Sequence, residues 1–122
     1  MIRGFLLDEH LPKWWRRELR RSAPDLNVWR VGDPDAPPLG CLDPVLLVWC
    51  EEHDYLFLTN NRKSMPQHLA DHVAKGGHMP GVFVVNPSIS MLKLAGTLNL
   101  IAGASLEDEY RDQVQYLPAL EV

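Results

Sequence analysis

Three short polar segments of this 122-residue chain carry residue types that could do chemistry together. Asp8-Glu9-His10 follows the apolar run Arg3–Leu7, Asp43 opens a helical stretch at Asp43-Pro44, and Thr59-Asn60-Asn61-Arg62 closes the apolar run Tyr55–Thr59. In an open parallel sheet, sites form outside the carboxyl ends of the strands. Residues that follow strands, and residues that start the helices after them, share that edge. Asp8 and Asp43 are therefore expected to converge although they are far apart in sequence. Two carboxylates at such an edge make a hard-oxygen site suited to Mg²⁺ or Mn²⁺. A divalent ion there orients a phosphodiester and activates water for in-line attack. Each acid also has a plainer use. Asp43 before Pro44 reads as a helix N-cap, and Asp8-Glu9 as a turn between strand and helix.

The elements that must position these residues are legible from apolar patterning. Arg3–Leu7, Asn27–Val31, Tyr55–Thr59, Val82–Val85 and a weak Gln113–Leu117 read as strands. Leu11–Ser22 reads as a helix, with Leu11, Trp15 and Leu19 on one face and Trp14 beside them. Asp43–His53 follows as a second helix. Pro66–Lys75 is a third, opened by Ser64-Met65-Pro66-Gln67 as a capping box and ended by Gly76-Gly77. Ser88–Ala102 is the fourth. Strands alternating with helical crossovers predict one α/β domain over residues 1–122: a three-layer α/β/α fold with a mostly parallel sheet of about five strands. The fourth helix has apolar residues on more than one face (Ile89, Leu92, Leu94, Leu98, Leu100, Ile101), which suggests a homodimer surface. The acidic segment Leu106–Val122 reads as solvated surface.

Length and composition bound the function. Hydrophobic residues form 46% of the chain, enough for a real core, and the longest apolar stretches fall well short of a membrane span. Acids interrupt the first apolar run before it could serve as a signal-peptide core, so a cytoplasmic protein with no membrane partner is expected. The net charge of −4 hides a split, because residues 1–30 carry seven basic and four acidic groups while the remainder carries five basic and twelve acidic. Charge position matters more than its sum. Arg16, Arg17 and Arg20 on the first helix, with Arg62 and Lys63 beside Asn61, could hold the phosphates of RNA. The same charges would suit an acidic protein partner. His68 and His72, one helical turn apart with His78 nearby, offer a third chemistry, a shared zinc ion. Cys50 reads as core, and Cys41 as a loop residue with no histidine close in sequence.

The residues also resemble a family. Phe5-Leu6-Leu7-Asp8-Glu9-His10-Leu11-Pro12 resembles the "LLDENLP" opening of the PIN-like proteins of domain-of-unknown-function class 5615, relatives of the PIN-domain ribonucleases of bacterial toxin–antitoxin pairs. Asp43, a helix, and the strand ending Leu58-Thr59-Asn60-Asn61-Arg62 resemble the PIN pattern of an Asp, a helix, a strand and "T-x-D". The resemblance extends to about Val85. It implies an Mg²⁺- or Mn²⁺-dependent ribonuclease-type protein, with an antitoxin protein as partner. Asp8 and Asp43 would be its metal ligands and catalytic acids. The last carboxylate of the pattern falls on Asn61, whose amide oxygen can coordinate a cation but brings no charge and cannot act as a base. Glu9 and Asp71 are the candidates to supply the missing charge. The same departure admits a degenerate module that binds RNA or a protein partner without cutting.

Overall fold

A computed structural model of the chain describes residues 2–104 and 108–118. Five strands and four helices alternate along it: β1 (Gly4–Leu7), α1 (Trp15–Ser22), β2 (Val28–Arg30), α2 (Asp43–His53), β3 (Tyr55–Thr59), α3 (Met65–Ala74), β4 (Val82–Val85), α4 (Met91–Ala104) and β5 (Val114–Leu117). The strands form one all-parallel sheet in the order β2-β1-β3-β4-β5. β1, β3 and β4 are buried along their whole lengths, as expected of central strands covered on both faces. Gly4 is required where it stands, because a Cβ there would lie 2.6 Å from the Asn27 carbonyl oxygen and 2.9 Å from the Tyr55 ring.

The helices form two layers. Trp15 and Leu19 of α1 join Leu94, Leu98 and Ile101 of α4 over Phe5, Leu7, Leu56, Leu58, Phe83 and Val85. Leu46, Leu47 and Cys50 of α2 join Met65 and Leu69 of α3 over Leu6, Phe57 and Val82. The expected three-layer architecture is therefore present. Among the described residues, no helix is long and apolar enough to cross a membrane.

The layer assignment fixes the hand of each crossover. The chain steps from β1 to β2 in one direction with α1 on one face, then returns through β3 and β4 with α2 and α3 on the other. These three share a hand. The step from β4 to β5 continues in the return direction but carries α4 on the face of α1, so its hand is opposite. Such crossovers are rare. Among the described residues, this one leaves the α3 side of β5 without a covering helix.

Local details depart from expectation for identifiable reasons. The first helix starts at Trp15 rather than Leu11, because the Leu11 N–H is used in a turn to the Asp8 carbonyl. Trp15 is fully buried, whereas Trp14 lies outside the core at 52% exposure. Asp43 is not an N-cap: Leu42 holds that position, and Asp43 is the first helical residue. Ser64 precedes α3 without capping it, since its hydroxyl is engaged by Asn61, and Gln67 turns to Asp71. Of the acidic C-terminal stretch, Leu106, Glu107 and residues 119–122 lie outside the described residues; Asp108, Glu109 and Arg111 are exposed.

Candidate functional site

β1 and β3 end side by side, and the residues that follow them build a polar relay at the carboxyl edge of the sheet. The Asp8 N–H donates to the Leu58 carbonyl at 2.9 Å, which extends the β1–β3 ladder by one rung and fixes the Asp8 backbone. Its side chain is 3% exposed, and fully buried Thr59 donates its hydroxyl to Asp8 Oδ2 at 2.7 Å. The same Thr59 oxygen accepts the Asn61 N–H at 3.1 Å. Asn61 Nδ2 donates to Ser64 Oγ at 2.7 Å and lies 3.5 Å from Asp43 Oδ2, while its Oδ1 accepts the Ser64 N–H at 3.1 Å. His68 Nε2, from the first turn of α3, stands 3.5 Å from the same Asp43 oxygen. Asp8, Thr59, Asn61, Asp43 and His68 thus form one chain of contacts drawn from β1, β3, α2 and α3.

The electrostatics of this edge follow from burial. Loss of water pushes the Asp8 carboxyl above the usual carboxylate range, and the Asp43 charge adds to the rise. The Thr59 hydroxyl, His10 and a backbone N–H oppose it. A buried carboxylate in that state is stabilised by taking up a proton or a cation. The groups around it are two carboxylates and a hydroxyl, with the Asn61 NH2 and the His68 Nε2 both turned to one oxygen of Asp43. Among the described residues no three of His, Cys, Asp and Glu converge closely enough to enclose a metal ion. Mg²⁺ does not need such a cage, because it keeps several waters and is commonly held by one or two carboxylates plus substrate phosphates. The donor set therefore fits a shared, weakly held hard cation and not a closed protein site.

Other candidate residues take different places. Glu9 holds the loop after β2: its Oε1 accepts the Gly40 N–H at 3.0 Å, and its carbonyl accepts from Arg30 at 2.6 Å. Asp71 is exposed one turn beyond His68 and accepts from Gln67 at 2.9 Å. Arg16 pairs with Asp33, and Arg20 donates twice to the Val28 carbonyl with its guanidinium 5.4 Å from the Trp29 ring centre. These two arginines are therefore committed to the fold. Arg17, Arg62 and Lys63 are exposed and make no side-chain ion pair among the described residues. His68 and His72 are aimed at different acids, because His72 Nε2 lies 2.7 Å from Glu51, so they do not share an ion. His78 pairs with Asp112 at 2.8 Å. Burial holds the Cys50 thiol protonated; burial, Asp43 and Glu9 do the same to Cys41, which weakens either as a nucleophile.

Thr59 lies in a segment expected at this edge but without a role, and neither Ser64 nor the link from His68 to Asp43 was predicted as part of this site. The threonine and serine flank Asn61 in sequence and could have been suspected from the strand-to-helix turn. The His68 contact depends on how α3 lies against α2. Comparison with known proteins finds no matching family model, no matching curated protein and no matching solved structure.

Proposed function

We propose that this chain is a PIN-like, divalent-metal-dependent ribonuclease-type protein of the cytoplasm, the toxin member of a bacterial toxin–antitoxin pair. The family part of the reading rests on the motif resemblance around Asp8 and Asn61. The observation that carries the chemistry is the relay joining buried Asp8 to Asp43 through Thr59 and Asn61. A bound Mg²⁺ or Mn²⁺ would orient the scissile phosphate and lower the pKa of a water.

The residues divide the remaining work. Asp8 and Asp43 would hold the ion. Thr59 fixes the rotamer of Asp8 by donating to Oδ2. Asn61 and His68 approach one oxygen of Asp43 from two elements. Arg62 and Lys63, next to Asn61 in the chain, receive phosphates flanking the cleavage point, and Arg17 extends the basic surface. With two carboxylates in the site, a bound ion would rely on water and substrate phosphate for its remaining ligands. Metal affinity is therefore expected to rise when RNA is bound.

The test is cleavage of single-stranded RNA with Mn²⁺ by wild type and Asp8→Asn. Wild-type cleavage that drops by about a hundredfold or more in the variant supports the reading, on the scale lost when a transition-state contact is removed. Equal rates, or no cleavage by wild type under any divalent ion, reject it. One observation favours a second reading, a module that binds RNA or a protein without cutting. Both polar ends of Asn61 are already occupied by Ser64. Salt-dependent RNA binding without cleavage, weakened by substituting Arg62 and Lys63, would establish that alternative.

A further inference from the structure

The outer edge of β5 and the groove beside it have matching chemistry. Gln113 and Leu117 carbonyls accept from Val82 and Asn86 of the β4 segment, so residues 113, 115 and 117 face β4. Val114 and Tyr116 direct their backbone groups outward, and among the described residues β5 has no further strand on that side. The stretch from Gln113 to Pro118 carries no charge, and Pro118, which has no N–H, ends the edge available for pairing just beyond β5. On the face left bare by α4, a groove of about 520 Å³ runs between α3 and β5, its lining mostly apolar (Pro66, Leu69, Ala70, Val73 and Val114 among others) with Asp112 as its one acid. Val114 packs toward this side, and alternation along the strand places Tyr116, 37% exposed, on the same side.

We propose that a second copy of this chain occupies that edge, its β5 pairing antiparallel with the first across a two-fold axis at Gln115. That register brings Val114 of each copy opposite Tyr116 of the other, so all four outward backbone groups of each strand are used. Shifting the axis to Tyr116 would set Val114 against Pro118, which has no N–H. With the axis at Gln115, Tyr116 of one copy stands beside Val114 of the other, at the mouth of the α3–β5 groove. Aromatic and β-branched residues form favourable cross-strand pairs. The contact is isologous and closes on itself, giving a continuous sheet through both copies. The surface differs from the α4 face suggested by sequence, and the proposal stands whether or not the carboxyl edge cuts RNA.

Sedimentation velocity over a concentration series, with the full chain, tests the association. Wild type is expected to form a dimer, and Tyr116→Lys to remain monomeric with unchanged circular dichroism. The register is tested in a Cys41→Ser background. Gln115 residues related by the axis form a non-hydrogen-bonded pair with Cα atoms about 4.5 Å apart, within disulfide range. Gln115→Cys should therefore crosslink at least about tenfold faster than Tyr116→Cys, whose side chain faces Val114 of the other copy. A wild type that stays monomeric, a Tyr116→Lys dimer, or equal crosslinking by the two cysteine variants overturns the proposal. So does a dimer lost on Leu92→Lys and kept on Tyr116→Lys, which would put the contact on α4.

Discussion

The two edges of the sheet are finished differently. At β2, residues 27, 29 and 31 face β1, and Val28 and Arg30 point outward. The Val28 carbonyl is taken by Arg20 at 2.9 and 2.5 Å, the Arg30 N–H by Asp33 Oδ2 at 2.8 Å, and the Arg30 carbonyl by the Asp33 N–H at 2.9 Å. Arg16 then neutralises Asp33, which is 10% exposed. Side chains thus close most of this edge from within the monomer. β5 has no comparable cover among the described residues. An edge strand closed by its own side chains contributes to monomer stability, whereas one left open keeps its backbone groups for a partner. The basic first helix illustrates the point, since Arg16 and Arg20 serve the β2 edge.

The comparison breaks most easily at Asp33. Asp33→Ala removes the Arg16 ion pair and the acceptor of the Arg30 N–H at once. We expect a loss of about 2 kcal/mol, the scale of charge-assisted hydrogen bonds. Urea denaturation measures it, and a loss below about 0.5 kcal/mol, the level of a neutral surface change, would mean the caps are ornamental. Arg20→Ala should cost less, about 1 kcal/mol, because the Arg20 side chain is exposed and one carbonyl can turn to water. If the double variant loses no more than Asp33→Ala alone, the two caps do not act separately.

The carboxyl edge shows how much of the molecule could be read from sequence. The strands and helices were legible because their apolar periods are clean, and Asp8 was placed correctly because it directly follows a buried strand. Asp43 was misread as a cap, since Asp-Pro has the same local chemistry at the N-cap and one residue later. The roles of Arg16 and Arg20 were illegible for another reason. Their partners, Asp33 and the Val28 carbonyl, lie on segments whose approach depends on how α1 crosses β2. Opposite handedness at β4–α4–β5 was equally hidden, because an apolar helix does not declare which face of a sheet it will cover. The groove beside β5 follows from that choice alone.

Acid should separate the two edges. Asp112 sits just before β5, and its carboxylate accepts from His78 and from the Met79 N–H at 2.7 Å. Glu51 on α2 receives His72 and the His78 N–H. Partial burial tends to raise both carboxyls, but these hydrogen bonds and nearby positive charge (Arg111 for Asp112) outweigh it and hold both below their ordinary values. A lowered folded pKa contributes stability that is complete above the unfolded value, about 4, and is lost as pH falls through the folded value. Hydrogen exchange between pH 5 and pH 3 should therefore show protection at Val82–Val85 and Val114–Leu117 falling before that at Val28–Arg30. Asp112→Asn should remove part of that acid sensitivity. Simultaneous loss at both edges would show that the His78 clasp does not govern β5.

The smallest effect is the most discriminating. Tyr116→Lys, at concentrations where the protein is monomeric, should change unfolding stability by no more than about 0.5 kcal/mol. The Tyr116 side chain is partly exposed, its backbone groups point away from β4, and the substitution leaves the hydrogen bonds made by Gln115 and Leu117 intact. Lysine has a weaker strand preference than tyrosine, but at an exposed edge that difference is a few tenths of a kcal/mol and is offset by better solvation of the long side chain. The contrast with Asp33→Ala is then one of kind: one variant lowers monomer stability, and the other changes association alone. A monomer destabilised by more than about 1 kcal/mol would place Tyr116 among the residues that hold β5 down, and β5 would join β2 as an edge finished from within.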